Sequence, residues 1–318
     1  MKVLANDGIS ASAKKTLENN GFTVVTETVP QDQLIDVINK EGYEVILVRS
    51  ATKVRKDIID ACPSIKMIGR GGVGMDNIDV AYGREKGINV FNTPASSSLA
   101  VAELVIALMF DLARSVYDSS RLMPTSGVEK FNDLKKKYGK GIELRGKTLG
   151  LIGFGRIGQY AAKYALGCGM NVIASDPFVK EAVIPVEVGN QSVSIKITTQ
   201  SFDSVIEQAD FISLHIPMPA DKKAVIGAAE FARMKKGVRI INAARGGVIN
   251  EDALLEALNN GTVAAAGLDV FENEPTPRED LLKHPNILAT PHIGAATNEA
   301  QDRIGDELAD IIVAFYKK

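Results

Sequence analysis

The chain has 318 residues with 37 Lys and Arg against 39 Asp and Glu, a formal net charge of −2, so it has no basic excess to hold nucleic-acid phosphates or an anionic membrane surface. Hydrophobic residues at 45% and charged residues at 24% are the balance of a globular chain rather than a disordered one, and at about 100–200 residues per domain the length indicates two domains. Two cysteines, Cys62 and Cys168, are too few for a disulfide framework and fit a reducing compartment; with Asn6 and Asp7 interrupting the start and no apolar run near about 18 residues, no signal peptide, no membrane span and a cytoplasmic location are expected.

Short apolar runs alternate with helix-period segments, the pattern of an α/β protein with parallel sheets. Strands are predicted at Val3–Ala5, Phe22–Val25, Val45–Val48, Met67–Ile68 and Ile88–Asn92, with helices around Ala11–Asn20 and Gln31–Lys40. Residues 1–97 form a first domain without a dinucleotide fingerprint. The segment Ser96–Arg114, SSSLAVAELVIALMFDLAR, has almost no polar face. A helix apolar all round is buried all round: within a monomer it could lie between domains, but a second subunit covers it as economically, so a homodimer built partly on it is expected. The lysine-rich stretch that follows reads as a solvated connection. A second domain, 98–292, continues with strand Thr148–Ile152, helix Ile157–Leu166, strand Asn171–Asp176, a β-rich stretch Val193–Thr198, helix Phe202–Gln208, strand Phe211–Ile216, helix Ala228–Met234, strand Val238–Ala243, helix Glu251–Asn259, and strands Ala264–Val270 and Ile287–Ala289. A last helix near Asn298–Phe315 is long enough to return to the first domain, so residues 293–318 are expected to complete it.

Gly153-Phe-Gly155-Arg156-Ile157-Gly158 directly follows a predicted strand and opens a helix, and the next strand ends on Asp176, 18 positions beyond Gly158. A dinucleotide-binding turn needs those residue types: Gly153 for the tight turn, Gly155 for close approach of a pyrophosphate, Gly158 for helix–strand packing, and an acid about 20 residues on for a ribose hydroxyl. Unpaired N–H groups at the helix start, around Arg156 and Ile157, suit phosphate. A carboxylate at 176 would repel a 2′-phosphate, so NAD is expected over NADP, with Lys180 weakening the preference slightly.

Three histidines are present, His215, His284 and His292. His292, in ATPHIGAAT, follows an apolar strand and precedes the last helix. Arg245, in INAARGG, and Glu274, in FENEP, follow strands of the same domain, at the carboxyl ends where open α/β sheets place ligands. Hydride transfer at a 2-oxo acid asks for this set: arginine pairs a carboxylate with two parallel hydrogen bonds, histidine moves a proton to or from oxygen, and a carboxylate fixes the imidazole's tautomer. Taken singly, Arg245 and Glu274 could equally be surface residues; spacing alone does not decide. No metal site is expected. If the substrate carries a phosphate, Arg49, Lys53 and Arg70 are the first domain's candidate cations, foremost Arg49 with Ser50.

GFGRIG ending in Asp176, then NAARGG, GLDVFENEP and PHIGA, resemble the D-isomer-specific 2-hydroxyacid dehydrogenases over essentially the whole chain. VRSATKV, GRGGVGMDNID and NTP upstream resemble the phosphoglycerate dehydrogenase branch. The resemblance implies a Rossmann NAD-binding domain and a flavodoxin-like substrate domain formed by both chain ends. It implies that Arg245 binds the substrate carboxylate and carbonyl oxygen, that His292 is the acid/base and Glu274 its partner, and that Asp269 holds the nicotinamide carboxamide. Ala243 and Pro217, with His215, would line the cofactor site; Val73 and Gly74 would offer N–H groups to the carboxylate, and helix Ser98–Arg114 would lie at a dimer interface. The implied reaction is NAD-dependent oxidation of 3-phosphoglycerate to 3-phosphohydroxypyruvate, the first step of serine synthesis. The alternatives are reduction of another 2-oxo acid (hydroxypyruvate, glyoxylate, a D-lactate-type or a branched-chain acid), or an NAD(H)-sensing interaction protein like the carboxyl-terminal-binding corepressors. Formate dehydrogenases resemble the family but pair the histidine with glutamine where Glu274 stands here. With Lys318 as its last residue the chain is expected to lack the regulatory domains of longer phosphoglycerate dehydrogenases, and with them serine feedback. The stretch VEVGNQSVSIK has no assigned role.

Overall fold

The computed structural model describes residues 1–317, which divide into two compact units, Met1–Ala100 with the segment from Ala295 onward, and Val101–Gly294. The first holds five parallel strands, β1 (Lys2–Ala5), β2 (Thr23–Val25), β3 (Val45–Val48), β4 (Met67–Arg70) and β5 (Asn89–Asn92), in the order β2-β1-β3-β4-β5. This is the flavodoxin-like order, which reverses between β1 and β3. β3 is the unbroken apolar run VILV, buried at every position, as a parallel strand covered on both faces requires. The last helix, Asn298–Tyr316, supplies one cover by packing Ile304, Leu308 and Ile312 into the cluster that holds Val3, Leu47 and Met67. Its start is fixed by Thr297, whose hydroxyl accepts from the Ala300 N–H at 3.1 Å.

The second unit holds a six-stranded parallel sheet. In chain order the strands are β6 (Thr148–Ile152), β7 (Asn171–Ser175), the antiparallel hairpin β8 (Glu181–Val188) and β9 (Gln191–Thr198), then β10 (Phe211–Leu214), β11 (Val238–Asn242), β12 (Val263–Leu268) and β13 (Ile287–Ala289). The sheet order is β13-β12-β11-β10-β6-β7, with β8-β9 a separate two-stranded sheet. The order reverses between β6 and β10, so the carboxyl end of β6 is where such a sheet places a ligand. Among the described residues no helix is long and apolar enough to cross a membrane.

Several expectations are corrected. The lysine-rich connection is folded into helices Val116–Ser126 and Phe131–Tyr138, neither of which buries a residue. Within the single chain, helix Ser98–Arg114 has one covered and one uncovered side. Val105, Leu108, Met109 and Leu112 enter the core of the second unit, whereas Glu103, Ala107, Phe110 and Arg114, spaced along the other side, are exposed. The β-rich stretch at 193–198 is one arm of a hairpin whose other arm begins at Glu181. Helix Ala228–Met234 ends early, at Phe231. Short helices at Lys56–Ala61, Val80–Glu85 and Glu279–Leu282 are too brief to show a period in sequence.

Candidate active site

The glycine turn joins β6 to helix Arg156–Gly167. Gly153 has φ +95°, and a Cβ there would stand 2.5 Å from the His215 carbonyl oxygen. At Gly158 a Cβ would meet the Gly153 carbonyl at 2.4 Å, so helix and turn touch backbone to backbone. Gly155 has nothing within 4 Å of its Cβ position, leaving that side open to a ligand's approach. Among the described residues the N–H groups of Arg156, Ile157 and Gly158 find no acceptor. A glycine opening beside orphan N–H groups at a helix start fits a pyrophosphate.

Asp176 follows β7 and turns back to this site. Its Oδ2 accepts from the Phe154 N–H at 2.7 Å, and its Oδ1 from Phe178 N at 2.8 Å and Val179 N at 3.0 Å. Burial works against the charge, but the three N–H groups outweigh it and hold the carboxyl below the usual carboxylate range. A carboxylate has about four lone-pair sites, so one remains for a ribose hydroxyl. Asp176 therefore both shapes the turn, through Phe154, and retains capacity for the ligand. His215 lies beneath: its Nε2 is 3.0 Å from the Ser213 hydroxyl, and desolvation pushes its pKa down to about 4. The ring is neutral near pH 7 and brings no cation to the phosphates. Pro217 is exposed just beyond it, and Ala243 is half-buried after β11.

Three neighbouring strands deliver the chemical residues. Arg245 follows β11, Glu274 follows β12 and His292 follows β13, and these strands are adjacent and parallel, so their loops share one edge of the sheet. His292 Nδ1 lies 2.8 Å from Glu274 Oε2, while Glu274 Oε1 accepts from the Phe271 N–H at 3.0 Å. Burial alone would raise the Glu274 pKa; the His292 hydrogen bond and charge, the Phe271 N–H and the Arg245 guanidinium reverse this and hold it low. An ionised carboxylate only accepts, so Nδ1 carries the hydrogen and Nε2 of a neutral ring presents its lone pair. Arg245 donates through Nη1 to its neighbour, the Ala244 carbonyl, at 2.6 Å, and Asn242 Nδ2 holds the Arg245 carbonyl at 2.8 Å.

His292 has φ +55°, a left-handed backbone uncommon for a residue with a Cβ. The loop holding it there is gathered by Asp269, only 1% exposed. Asp269 Oδ1 accepts from Thr290 Oγ1 at 2.6 Å and Ile293 N at 2.8 Å, and Oδ2 from Gly294 N at 2.8 Å. Asp269 therefore braces residues 290–294, and a carboxylate with about four lone-pair sites keeps capacity for the nicotinamide carboxamide contact suggested for it.

In the first unit, Arg49 follows β3 and its N–H donates to Asp7 Oδ2 at 2.6 Å. No partner for its guanidinium occurs among the described residues, and the residue lines a cavity of about 270 Å³ with Asp7, Ser10 and Gln301. Ser50 and Lys53 are exposed on the same loop. Arg70 ends β4 and folds its guanidinium over Gly72. The N–H groups of Val73 and Gly74 have no acceptor among the described residues. No cluster of metal-ligating side chains occurs among the described residues.

Two residues at the site escaped the sequence reading. Gly246 and Glu251 lie against the 271–274 loop, a contact between segments joined only by the fold, without a local pattern that signals it.

Residues 106–294 match the family described as D-isomer specific 2-hydroxyacid dehydrogenase, NAD binding domain. The chain is 45% identical to a hydroxypyruvate reductase of Thermotoga maritima, over 98% of this chain and 97% of that protein. It is 42% identical to a D-3-phosphoglycerate dehydrogenase of Methanocaldococcus jannaschii, over 98% of this chain and 57% of that longer protein. Among solved structures, a glyoxylate reductase from Paecilomyes thermophila superposes with a TM-score of 0.82 at 30% identity, covering 100% of this chain and 95% of that one.

Proposed function

We propose, from the premise that the chain belongs to the D-isomer specific 2-hydroxyacid dehydrogenase family and is an NAD-dependent oxidoreductase, that it interconverts 3-phosphoglycerate and 3-phosphohydroxypyruvate, the entry to serine synthesis. The observation that carries the chemistry is the 2.8 Å contact between His292 Nδ1 and Glu274 Oε2, with Arg245 just after the neighbouring strand β11. Bound NAD supplies the acceptor for the C2 hydride. Arg156, Ile157 and Gly158 offer N–H groups to its pyrophosphate, and Asp176 accepts from its adenosine ribose. Arg245 pairs the substrate carboxylate. Neutral His292 takes the C2 hydroxyl proton at Nε2, and the Glu274 carboxylate stabilises the imidazolium that results. In the reductive direction the imidazolium returns the proton to the carbonyl oxygen.

The phosphate is assigned to Arg49, with Ser50 and Arg70 beside it. The support is the Arg49 guanidinium, which lacks a protein acceptor among the described residues. The carboxylate reading of Val73 and Gly74 rests on their unpaired N–H groups. A second reading, reduction of hydroxypyruvate or glyoxylate, is favoured by the near full-length match to the Thermotoga maritima reductase. Steady-state kcat/KM on 3-phosphohydroxypyruvate, hydroxypyruvate, glyoxylate and pyruvate, each with NADH and NADPH, separates the readings. The phosphorylated acid is expected to lead by roughly 10–100-fold, since a charge-assisted hydrogen bond contributes about 1.5–3 kcal/mol. NADPH is expected to be at least about tenfold poorer because Asp176 repels the 2′-phosphate. A lead for hydroxypyruvate overturns the phosphate assignment. No turnover on any acid, with oligomerisation that depends on NADH, selects an NAD(H) sensor.

A homodimer is proposed through the uncovered side of helix Ser98–Arg114 and the helices after it, where Phe110, Val116, Tyr117, Met123 and Phe131 are exposed. Light scattering should give twice the 34.1 kDa chain mass; a monomer mass at micromolar concentration overturns it.

A further inference from the structure

We infer that Glu251, remote in sequence from the chemical residues, is a positioning residue that holds the loop presenting Glu274 to His292. The inference rests on the roles given above to Glu274 and His292. Glu251 opens helix Glu251–Asn259 and is only 5% exposed. Its Oε1 accepts from the Glu272 N–H at 2.9 Å, and Glu272 Oε1 in turn accepts from the Glu251 N–H at 3.3 Å. Glu251 Oε2 is buried with no partner among the described residues. Burying a carboxylate with one oxygen unsatisfied is costly, more than fixing a surface loop requires.

What this carboxylate grips explains the expense. Glu272 lies two residues before Glu274, and the Phe271 N–H next to it bonds Glu274 Oε1. The loop is also wedged against Gly246, where a Cβ would fall 1.8 Å from the Phe271 carbonyl oxygen and 2.9 Å from the Glu272 nitrogen. Glu251 thus acts on one side of the peptide 271–272 and the Arg245–Gly246 turn presses on the other. The carboxyl of Glu274, held by Phe271 N, is left with Oε2 for His292. Pulling the Glu251 acceptor away frees the loop to move, and with it the group that fixes the imidazole tautomer.

The consequence can be read without substrate. With only three histidines in the chain, ring ¹⁵N shifts of histidine-labelled protein resolve His292. The wild-type neutral ring should be in the Nδ1–H form. Glu251→Ala should shift the population toward Nε2–H and lower kcat about 10–100-fold, the scale of a misplacement near 1 Å, with the Kd for NADH unchanged. Glu251→Gln, which keeps an acceptor at Oε1, should preserve both tautomer and kcat. Glu251→Asp keeps the charge but withdraws the acceptor by one methylene; it should resemble Ala and decides the matter if Ala does not fold. A folded Ala or Asp variant with the wild-type tautomer and kcat overturns the inference, as does a Gln variant as impaired as Ala. If the wild type reduces none of the four acids, the proposed function fails, while the ¹⁵N result still judges Glu251.

Discussion

Replacing His292 with asparagine is expected to lower kcat by about 10²–10⁴, the usual contribution of a positioned proton carrier, and to leave the Kd for NADH within a factor of about two. Asparagine is the informative choice because of the backbone. His292 has φ +55°, and asparagine is one of the few residues that visit the left-handed region readily. Alanine there would add conformational cost to the chemical loss and blur the result. The 290–294 loop is held by Asp269 through Thr290, Ile293 and Gly294 rather than through the imidazole, so the loop should keep its shape in His292→Asn. Glu274 would lose its imidazole partner but keep the Phe271 N–H. Stopped-flow NADH binding with steady-state rates checks both arms. An equal fall in kcat and in NADH affinity would falsify the assignment of His292 as the proton carrier.

Gly153→Ala is expected to weaken NADH binding by more than about 100-fold and to lower the melting temperature of the free protein. Two costs combine there. A Cβ at φ +95° is held in a region that costs about 1–3 kcal/mol, and it stands 2.5 Å from the His215 carbonyl oxygen, a main-chain atom that cannot rotate aside as a side chain does; overpacking of that kind costs about 1–3 kcal/mol more. Displacing His215 moves the end of β10, which borders β6 where the sheet order reverses. Gly155→Ala is the control. Nothing lies within 4 Å of its Cβ position, so the free protein should melt as wild type while NADH binding weakens, because the methyl occupies the side a pyrophosphate approaches. Calorimetry of both free variants with NADH titrations separates the cases. A Gly153→Ala protein with wild-type melting would show that the turn relaxes without cost.

The sequence was informative wherever the determinant is local. The dinucleotide turn is one run of six residues between a strand and a helix, and its three glycines have the steric settings their spacing implied. Arg245, Glu274 and His292 could be nominated because each follows a strand, but their convergence depends on β11, β12 and β13 being neighbours, which sheet order decides and no single segment encodes. The hairpin β8–β9 carries a local signal as well. Gly189 and Asn190 are the two residues between paired strands, Gly189 has φ +61°, and alternating apolar residues flank them, as a two-residue hairpin turn predicts. Pro185 within the first arm weighs the other way, though proline argues against a central strand and not against an edge one. The helices at 116–138 were hidden for another reason: their composition is largely polar, and their apolar residues are largely exposed, so no strong inward face marked them. Asp269 illustrates the remaining limit. Its position near the site was evident, but that its oxygens gather the 290–294 main chain could not be known before the backbone was folded.

The close meeting of Gly246 with the Phe271–Glu272 peptide has a bearing on redesign. Two stretches more than twenty residues apart in sequence are keyed together with no room for a methyl group, so they behave as one inherited cassette. Attempts to transplant this dehydrogenase's reactivity into a homologous scaffold should move the 245–251 and 271–274 segments jointly; exchanging either alone would join mismatched halves.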